Sequence, residues 1–196
     1  MTDVNNEYVV LHCGTYEVPS PSCVCSRDHY LTAMAPTTFK APVRAESPAE
    51  PDEGVPLIDA MELDGLPMVS SVVKQVLEYQ DLYQLQLVPA MYTHADNTDH
   101  LYWVMMLDNE IKAYDFDNGQ FISRGDNDKV SAINIRLDAN KLLTIPLNKR
   151  LMFEIYGMRG TYILHRSVAE KLSVIGAKGL HLVPLLDWDM GFGFTV

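Results

Sequence analysis

The side chains best equipped for chemistry sit together in the run His94-Ala95-Asp96-Asn97-Thr98-Asp99-His100. Two imidazoles and two carboxylates are donors that zinc takes, so a metal-dependent enzyme built on this loop is one reading of the chain. Catalytic zinc is more often held by a rigid element, above all a helix carrying two histidines one turn apart. Here a polar stretch rich in Asp, Asn and Thr separates the histidines, and those are the residues expected of a turn. The run therefore reads first as a hairpin tip. Asp115-Phe116-Asp117-Asn118-Gly119 and Asp126-Asn127-Asp128 each match part of a calcium loop, but neither continues to the required glycine and distal glutamate. Cys25 and His29 offer a thiol and a base near each other in sequence, whereas working dyads are assembled from distant segments. Cys13, Cys23 and Cys25 are an odd set with C-x-C spacing, which reads as reduced thiols rather than a zinc knuckle. His165 and His181 read as surface or core histidines. The chain has no G-x-S-x-G elbow and no G-x-x-x-x-G-K phosphate loop, and Gly191-Phe192-Gly193-Phe194 opens no helix. No catalytic, metal or cofactor residue is assigned.

The elements that would position such groups are legible because the chain states one pattern twice. Val69-Ser70-Ser71-Val72-Val73-Lys74-Gln75-Val76-Leu77, ending at Leu85-Gln86-Leu87-Val88-Pro89, is echoed by Leu164-His165-Arg166-Ser167-Val168-Ala169-Glu170-Lys171-Leu172, ending at Leu180-His181-Leu182-Val183-Pro184. A serine before an apolar helical run is a start signal, since its hydroxyl can accept a bond from a first-turn amide. The closing L-x-L-V-P reads as a half-buried strand stopped by proline. Each copy is thus a helix, a tight connection and a strand, with a length difference of about one residue absorbed by Tyr79-Gln80-Asp81 and Gly176-Ala177-Lys178-Gly179. In the first helix Val69, Val72, Val73, Val76 and Leu77 form the expected apolar stripe.

Elsewhere the pattern predicts strands at Tyr8 to His12, Tyr83 to Met91, Leu101 to Leu107 and Ile111 to Phe116, the last closed by Asn118-Gly119 with positive φ. Val130 to Leu137 alternates imperfectly but reads as extended, and Arg150 to Tyr156 pairs with Thr161 to Leu164 as a hairpin. Asp64-Gly65-Leu66-Pro67 reads as a turn into the first helix. Prolines recur from Pro19 to Pro56, which bars a long helix or central strand and predicts an extended, partly disordered segment between Ala41 and Gly54. The fold class is α+β, mostly antiparallel sheet with two similar helix-strand units flanking a central β-meander. A single domain over 1–196 is expected, with an irregular Pro-rich segment at 1–58 and a core at 60–186 whose internal repeat spans 69–89 and 164–184.

Lys plus Arg number 15 against 26 Asp plus Glu, a formal net charge of -11. Such a balance repels a phosphate backbone and attracts a basic protein partner. The 47% hydrophobic content excludes a disordered chain. There is no long apolar run and no signal peptide at the start, so a cytoplasmic protein without membrane contact is expected. Glu46, Glu50, Asp52, Glu53, Asp59, Glu62 and Asp64 follow Arg44 as a one-sign block, read as a solvated linker or docking segment. Candidate partner contacts, chosen by charge and expected exposure, are Asp96, Asp99, Asp108, Glu110, Asp115, Asp117, Asp126, Asp128, Asp187, Trp188 and Asp189. A tail with Trp188, Phe192 and Phe194 is expected to fold back onto the core. If exposed, it would be a protein-binding edge of aromatic anchors and carboxylates.

The ordered blocks Leu66-Pro67-Met68-Val69-Ser70, Val76-Leu77, Leu87-Val88-Pro89, Leu101-Tyr102-Trp103-Val104-Met105 and Ile111-Lys112-Ala113-Tyr114-Asp115 resemble the immunity-protein-eleven family of bacterial polymorphic toxin systems. So do Met152-Phe153-Glu154-Ile155, Ile163-Leu164-His165-Arg166-Ser167 and Gly179-Leu180-His181-Leu182-Val183-Pro184. The likeness covers about residues 60 to 186. It implies a non-enzymatic cytoplasmic antidote that binds a cognate secreted toxin and occludes its active site or substrate groove, a basic groove if the toxin acts on nucleic acid. An adaptor module with a partner unrelated to toxins is the remaining reading.

Overall fold

The computed structural model describes residues 3–15, 18–23, 41–50, 54–123 and 130–191. The protein is α+β, and antiparallel pairings dominate its sheets. In chain order the strands are β1 (Tyr8–Cys13), β2 (Ser22–Cys23), β3 (Val43–Glu46), β4 (Ala60–Leu63), β5 (Leu66–Ser70), β6 (Leu85–Thr93), β7 (Asp99–Leu107), β8 (Glu110–Ile111), β9 (Gln120–Ser123), β10 (Val130–Asn134), β11 (Met152–Ile155), β12 (Met158–His165) and β13 (Leu180–Pro184). The helices are α1 (Ser71–Tyr79), α2 (Ala139–Leu142) and α3 (Arg166–Val174). The chain divides into two compact units. One comprises Met1–His12, Asn109–Val174 and His181–Val196, and the other comprises Cys13–Asp108 and Ile175–Leu180. No helix among the described residues is long and apolar enough to cross a membrane.

The unit containing Cys13–Asp108 holds a sheet in the order β2-β3-β6-β7-β5-β4. Its β4–β5 hairpin turns at Asp64 and Gly65, whose φ values of 50° and 87° are the paired left-handed angles of a tight two-residue turn. In such a hairpin Leu63 and Leu66 form the bonded pair, so the Pro67 nitrogen faces away from β4. Pairing with β7 begins only at Met68, so the missing N–H costs no ladder bond. β5 leads into α1, and the chain returns as β6, leaving β7 between β5 and β6 and antiparallel to both. Val88, Ala90, Tyr92, Tyr102 and Val104 from this sheet, with Met61, Leu63 and Met68, form the core of the unit.

The other unit repeats the plan. Its sheet runs β13-β1-β12-β11-β8, with the hairpin β11–β12 leading into α3 and back as β13. Here the intervening strand is β1, from the N-terminal end of the chain, whereas β7 follows its own copy. The two copies are circularly permuted with respect to each other. The correspondence holds residue by residue. Val73 and Leu77 are buried on α1, as are Val168 and Leu172 on α3. Ser70 N donates to the Asp59 carbonyl at 2.7 Å, and His165 N donates to the Leu151 carbonyl at 2.9 Å. Ala90 faces Tyr102 in register, and Leu185 N donates to the Tyr8 carbonyl at 3.1 Å. The buried Tyr102 hydroxyl donates to the Ile58 carbonyl, while the buried Tyr8 hydroxyl accepts Arg150 Nη1 at 2.7 Å, from the equivalent position. Phe153, Ile155, Ile163, Val10 and Trp188 fill the core of this unit.

Several sequence expectations change. One constant offset runs from Val69 and Leu164 to Pro89 and Pro184, so the one-residue length difference is absent. Val69 belongs to β5, and Val72 is 53% exposed, leaving a narrower buried stripe of Val73 and Leu77. Ser70 occupies the N-cap of α1 without a side-chain cap bond, because its hydroxyl donates to Asp59 Oδ1 at 2.9 Å. Asp59 also accepts Lys178 N at 2.9 Å, so this member of the acidic block is structural. Ser167 lies inside α3, and the imidazole of His165 accepts its N–H at 3.2 Å. Between Pro42 and Pro48 the chain forms β3, parallel to β6, with Val43 and Ala45 buried, since four residues between prolines suffice to add a strand. The remaining Pro-rich stretches 24–40 and 51–53 lie outside the described residues. The strand expected at Ile111 to Phe116 shrinks to β8, followed by an isolated bridge between Tyr114 and Leu137.

Candidate partner-binding surface

Glycine at position 119 has a different reason from the one expected. Its φ is not left-handed; a Cβ there would stand 2.3 Å from Phe121 Cε2 and 2.9 Å from the Asp115 carbonyl. The close approach lets residues 115–118 fold as a side-chain-capped turn. Asp115 Oδ1 accepts the N–H groups of Asp117 and Asn118 at 3.0 and 3.2 Å, and Oδ2 accepts Asn118 Nδ2 at 2.6 Å. The Asn118 side chain, followed by these amides, lowers the Asp115 pKa, so its negative charge is secure at neutral pH. Phe116 stands 58% exposed at the turn, edge-on to Tyr114 at 4.6 Å and tilted on Phe121 at 5.1 Å.

Phe121 leads into the ribbon β9–β10, where it faces the buried Ala132, while Ile122 on the other face is exposed. The register shifts between Ala132 and Asn134, which explains the imperfect alternation of this stretch. The bulge leaves Ile133 exposed. The C-terminal segment joins the ribbon here, through a bridge between Asn134 and Asp189 and a bond from Met190 N to the Ile133 carbonyl at 2.9 Å. Asp187, Asp189 and Met190 face solvent. The ribbon exposes Ile122 and Ile133, and the segment bridged to it exposes Asp187, Asp189 and Met190; the 115–118 turn exposes Phe116 and Asp117, while Phe121 packs against the core.

Trp188 is not among these exposed residues. It is buried, at 6% exposure, and its Nε1–H donates to His12 Nε2 at 2.8 Å with the two rings stacked. The tail thus folds back through Trp188 while its neighbouring carboxylates point outward. Phe192 and Phe194, Asp126 and Asp128, and the pair Cys25 and His29 lie outside the described residues. Asp108 is half-buried in the other unit, and the Glu110 carboxylate is engaged by Arg159 Nε at 3.3 Å. The sequence reading missed Phe116, Ile122, Ile133 and Met190 as surface, although the broken alternation after Val130 was a sign of the bulge.

Asp96 and Asp99 sit in the unit containing Cys13–Asp108, at the tip of the β6–β7 hairpin. Asn97 takes φ 64°, and His94 N donates to the Thr98 carbonyl at 2.9 Å. Asp96 accepts from Thr98 N and Thr98 Oγ1 and lies 3.3 Å from His94 Nδ1; the Thr98 bonds chiefly lower its pKa to about 2. His100 Nε2 bonds Thr98 Oγ1 at 2.8 Å, and Asp99 accepts Thr93 Oγ1 at 2.7 Å. Most of the donors considered for zinc are engaged within the turn, while His94 Nε2 is buried without a hydrogen-bond partner among the described residues. Among the described residues no group of three or more His, Cys, Asp or Glu side chains is placed to hold a metal ion. Burial pushes the Cys13 thiol up to about 12, so it is protonated at neutral pH. No protein-family model matches the chain, and no curated protein matches it.

Proposed function

We propose that the protein is an immunity protein, which binds a cognate secreted bacterial toxin in the cytoplasm and neutralises it by covering its active site or substrate groove. The observation that carries this reading is that one unit exposes Phe116, Ile122, Ile133 and Met190 on segments that also carry Asp115, Asp117, Asp187 and Asp189. Exposed apolar anchors accompanied by carboxylates suit a basic protein surface, because desolvated aromatic and aliphatic groups give affinity and the carboxylates give steering and selectivity. A formal net charge of -11 extends that attraction over the whole molecule. The residue blocks resembling the immunity-protein-eleven family support the same role, and inhibition by occlusion asks nothing catalytic of this chain.

The test is co-purification with the product of the adjacent upstream gene, together with growth on co-expression. The expected result is a stable complex and protection. The triple change Asp115→Lys, Asp187→Lys and Asp189→Lys is expected to weaken the complex by about a hundredfold at low salt, with a smaller effect at high salt. Absence of both binding and protection with the unaltered protein would refute the role, and an unchanged affinity in the triple variant would refute the surface.

A further inference from the structure

We propose that the bond between Trp188 and His12 is a proton-sensitive latch on the C-terminal segment: a proton taken up at His12 Nε2 frees residues 186–191, and with them Asp187, Asp189 and Met190, from the unit. Beyond Leu185 little else holds the chain. Within 186–191 Trp188 is the only buried side chain, the others being half-buried or exposed. The backbone adds a bond from Met190 N to the Ile133 carbonyl at 2.9 Å and the bridge between Asp189 and Asn134, while the bond from Asp187 N to the Pro184 carbonyl only closes a local turn. Backbone bonds on exposed residues compete with water, so the indole is the anchor.

An indole nitrogen only donates, and Trp188 Nε1–H points at His12 Nε2 at 2.8 Å, with the two rings inclined by 17°. The lone pair that accepts this bond is the one that a proton from solvent would occupy. In the imidazolium both ring nitrogens are donors, so Nε2–H would face Nε1–H where Trp188 is 6% exposed, and neither would have an acceptor there. His181 on β13 is the titratable group that acts on His12, and it acts as a like charge. Among the described residues no carboxylate offsets that charge: β12, paired with β1 through Leu11 and Tyr162, brings none to act on His12, and Asp187 and Asp189 face solvent. Burial first, and then His181, hold the His12 pKa below its ordinary 6.5. Once the segment leaves, the imidazole meets water and regains that ordinary value, so the released form binds the proton more tightly. The hold of the latch is therefore complete above 6.5 and is lost as pH falls toward the folded value. Between pH 8 and pH 5 the ratio of released to latched chains rises by up to about thirtyfold. A partner that grips Asp187, Asp189 or Met190 binds the latched form, and acid weakens its hold in proportion to the latched fraction, whatever that partner is.

The test follows the full chain by proton-nitrogen NMR from pH 8 to pH 5. The signals read are the Trp188 indole, assigned with Trp188→Phe, and the solvent exchange of the Met190 amide corrected for its intrinsic rate. The amide of Ile163, fully buried on β12, reports global opening. Protection of Met190 is expected to fall by about ten- to thirtyfold over this range, in step with titration of the His12 ring, while Ile163 stays at least about a hundredfold better protected at every pH. His12→Gln keeps an acceptor in its side-chain carbonyl and takes no proton in this range, so its Met190 protection is expected to be flat. A change of less than about threefold at Met190 in the parent, opening of Met190 only together with Ile163, or an equal acid response in His12→Gln would each overturn the latch. The first two are read on the parent alone and decide the matter whether or not the variant folds.

Discussion

Replacing Trp188 by Phe tests how the C-terminal segment is held. The indole N–H donates to His12 Nε2 at 2.8 Å from a position only 6% exposed, so the imidazole must offer an unprotonated nitrogen. Phenylalanine keeps most of the ring packing and removes the donor. Losing a buried hydrogen bond of this kind costs about 1–3 kcal/mol, and the lost indole area adds about 1 kcal/mol. The variant should therefore be about 2–4 kcal/mol less stable at pH 8. The acid side carries a second signature. Burial, and then the neighbouring His181, lower the His12 pKa below its ordinary 6.5. The unfolded chain takes up a proton as pH falls through 6.5 while the folded protein does not, so stability present above that pH is lost as pH falls toward the folded value. Without the indole donor the neutral imidazole is less favoured in the folded state, and the variant should lose less stability between pH 7 and pH 5. His165, also lowered chiefly by burial, acts in the same direction in both proteins and cancels in the difference. Urea unfolding followed by far-ultraviolet circular dichroism at pH 8, 7, 6 and 5 measures both effects. A variant within about 0.5 kcal/mol of the parent at pH 8, or one with an identical pH dependence, would refute the reasoning.

Asn109→Ala should cost about 2–4 kcal/mol in the same unfolding assay, because the buried Asn109 Nδ2 donates to the carbonyls of both Lys149 and Met152 at 2.7 Å. An effect below about 1 kcal/mol would mean that those carbonyls are satisfied without it. Gln84→Gly should instead stabilise the protein by about 0.5–1 kcal/mol, since it relieves a left-handed residue at φ 56° at some cost in chain entropy. Thermal unfolding of the two forms side by side checks the sign.

The repeat was legible because its signal is local: Val73 and Leu77, or Val168 and Leu172, stand one turn apart ahead of an L-x-L-V-P strand. The strand that completes each copy was not, since pairing Tyr8 with His165 and Tyr102 with Ser70 depends on contacts far apart in sequence. The acidic half of the candidate surface could be chosen by charge alone. Its apolar half could not, because Ile133 is turned outward by a bulge and Phe116 is held at the surface by a ring cluster that needs the space beside Gly119. Hydrophobic side chains in sequence announce burial, and only pairing geometry says which of them fail to reach the core. Trp188 followed the expectation for a large aromatic, while the carboxylates on either side of it kept to solvent.

The two copies also separate what the fold requires from what it merely allows. Buried positions agree in kind, with Val73 against Val168, Leu77 against Leu172 and Tyr102 against Tyr8, because a change there costs packing in either unit. The corners differ, and the difference is asymmetric for a physical reason. A Cβ on Gly179 would lie 2.2 Å from the Ala60 carbonyl oxygen, so this glycine answers to space as well as to its φ of 79°. Gln84, at the equivalent position, carries a full side chain in the same left-handed region and is exposed. One copy has thus lost the freedom to vary its connection because Asp59 and Ala60 are bonded to Lys178 beside it. The other has kept that freedom, and it is there that the carboxylates of Glu78 and Asp81 stand exposed. In a duplicated scaffold with this division of constraint, recognition is expected to diverge first at the unconstrained corner, by changes that leave the shared core untouched.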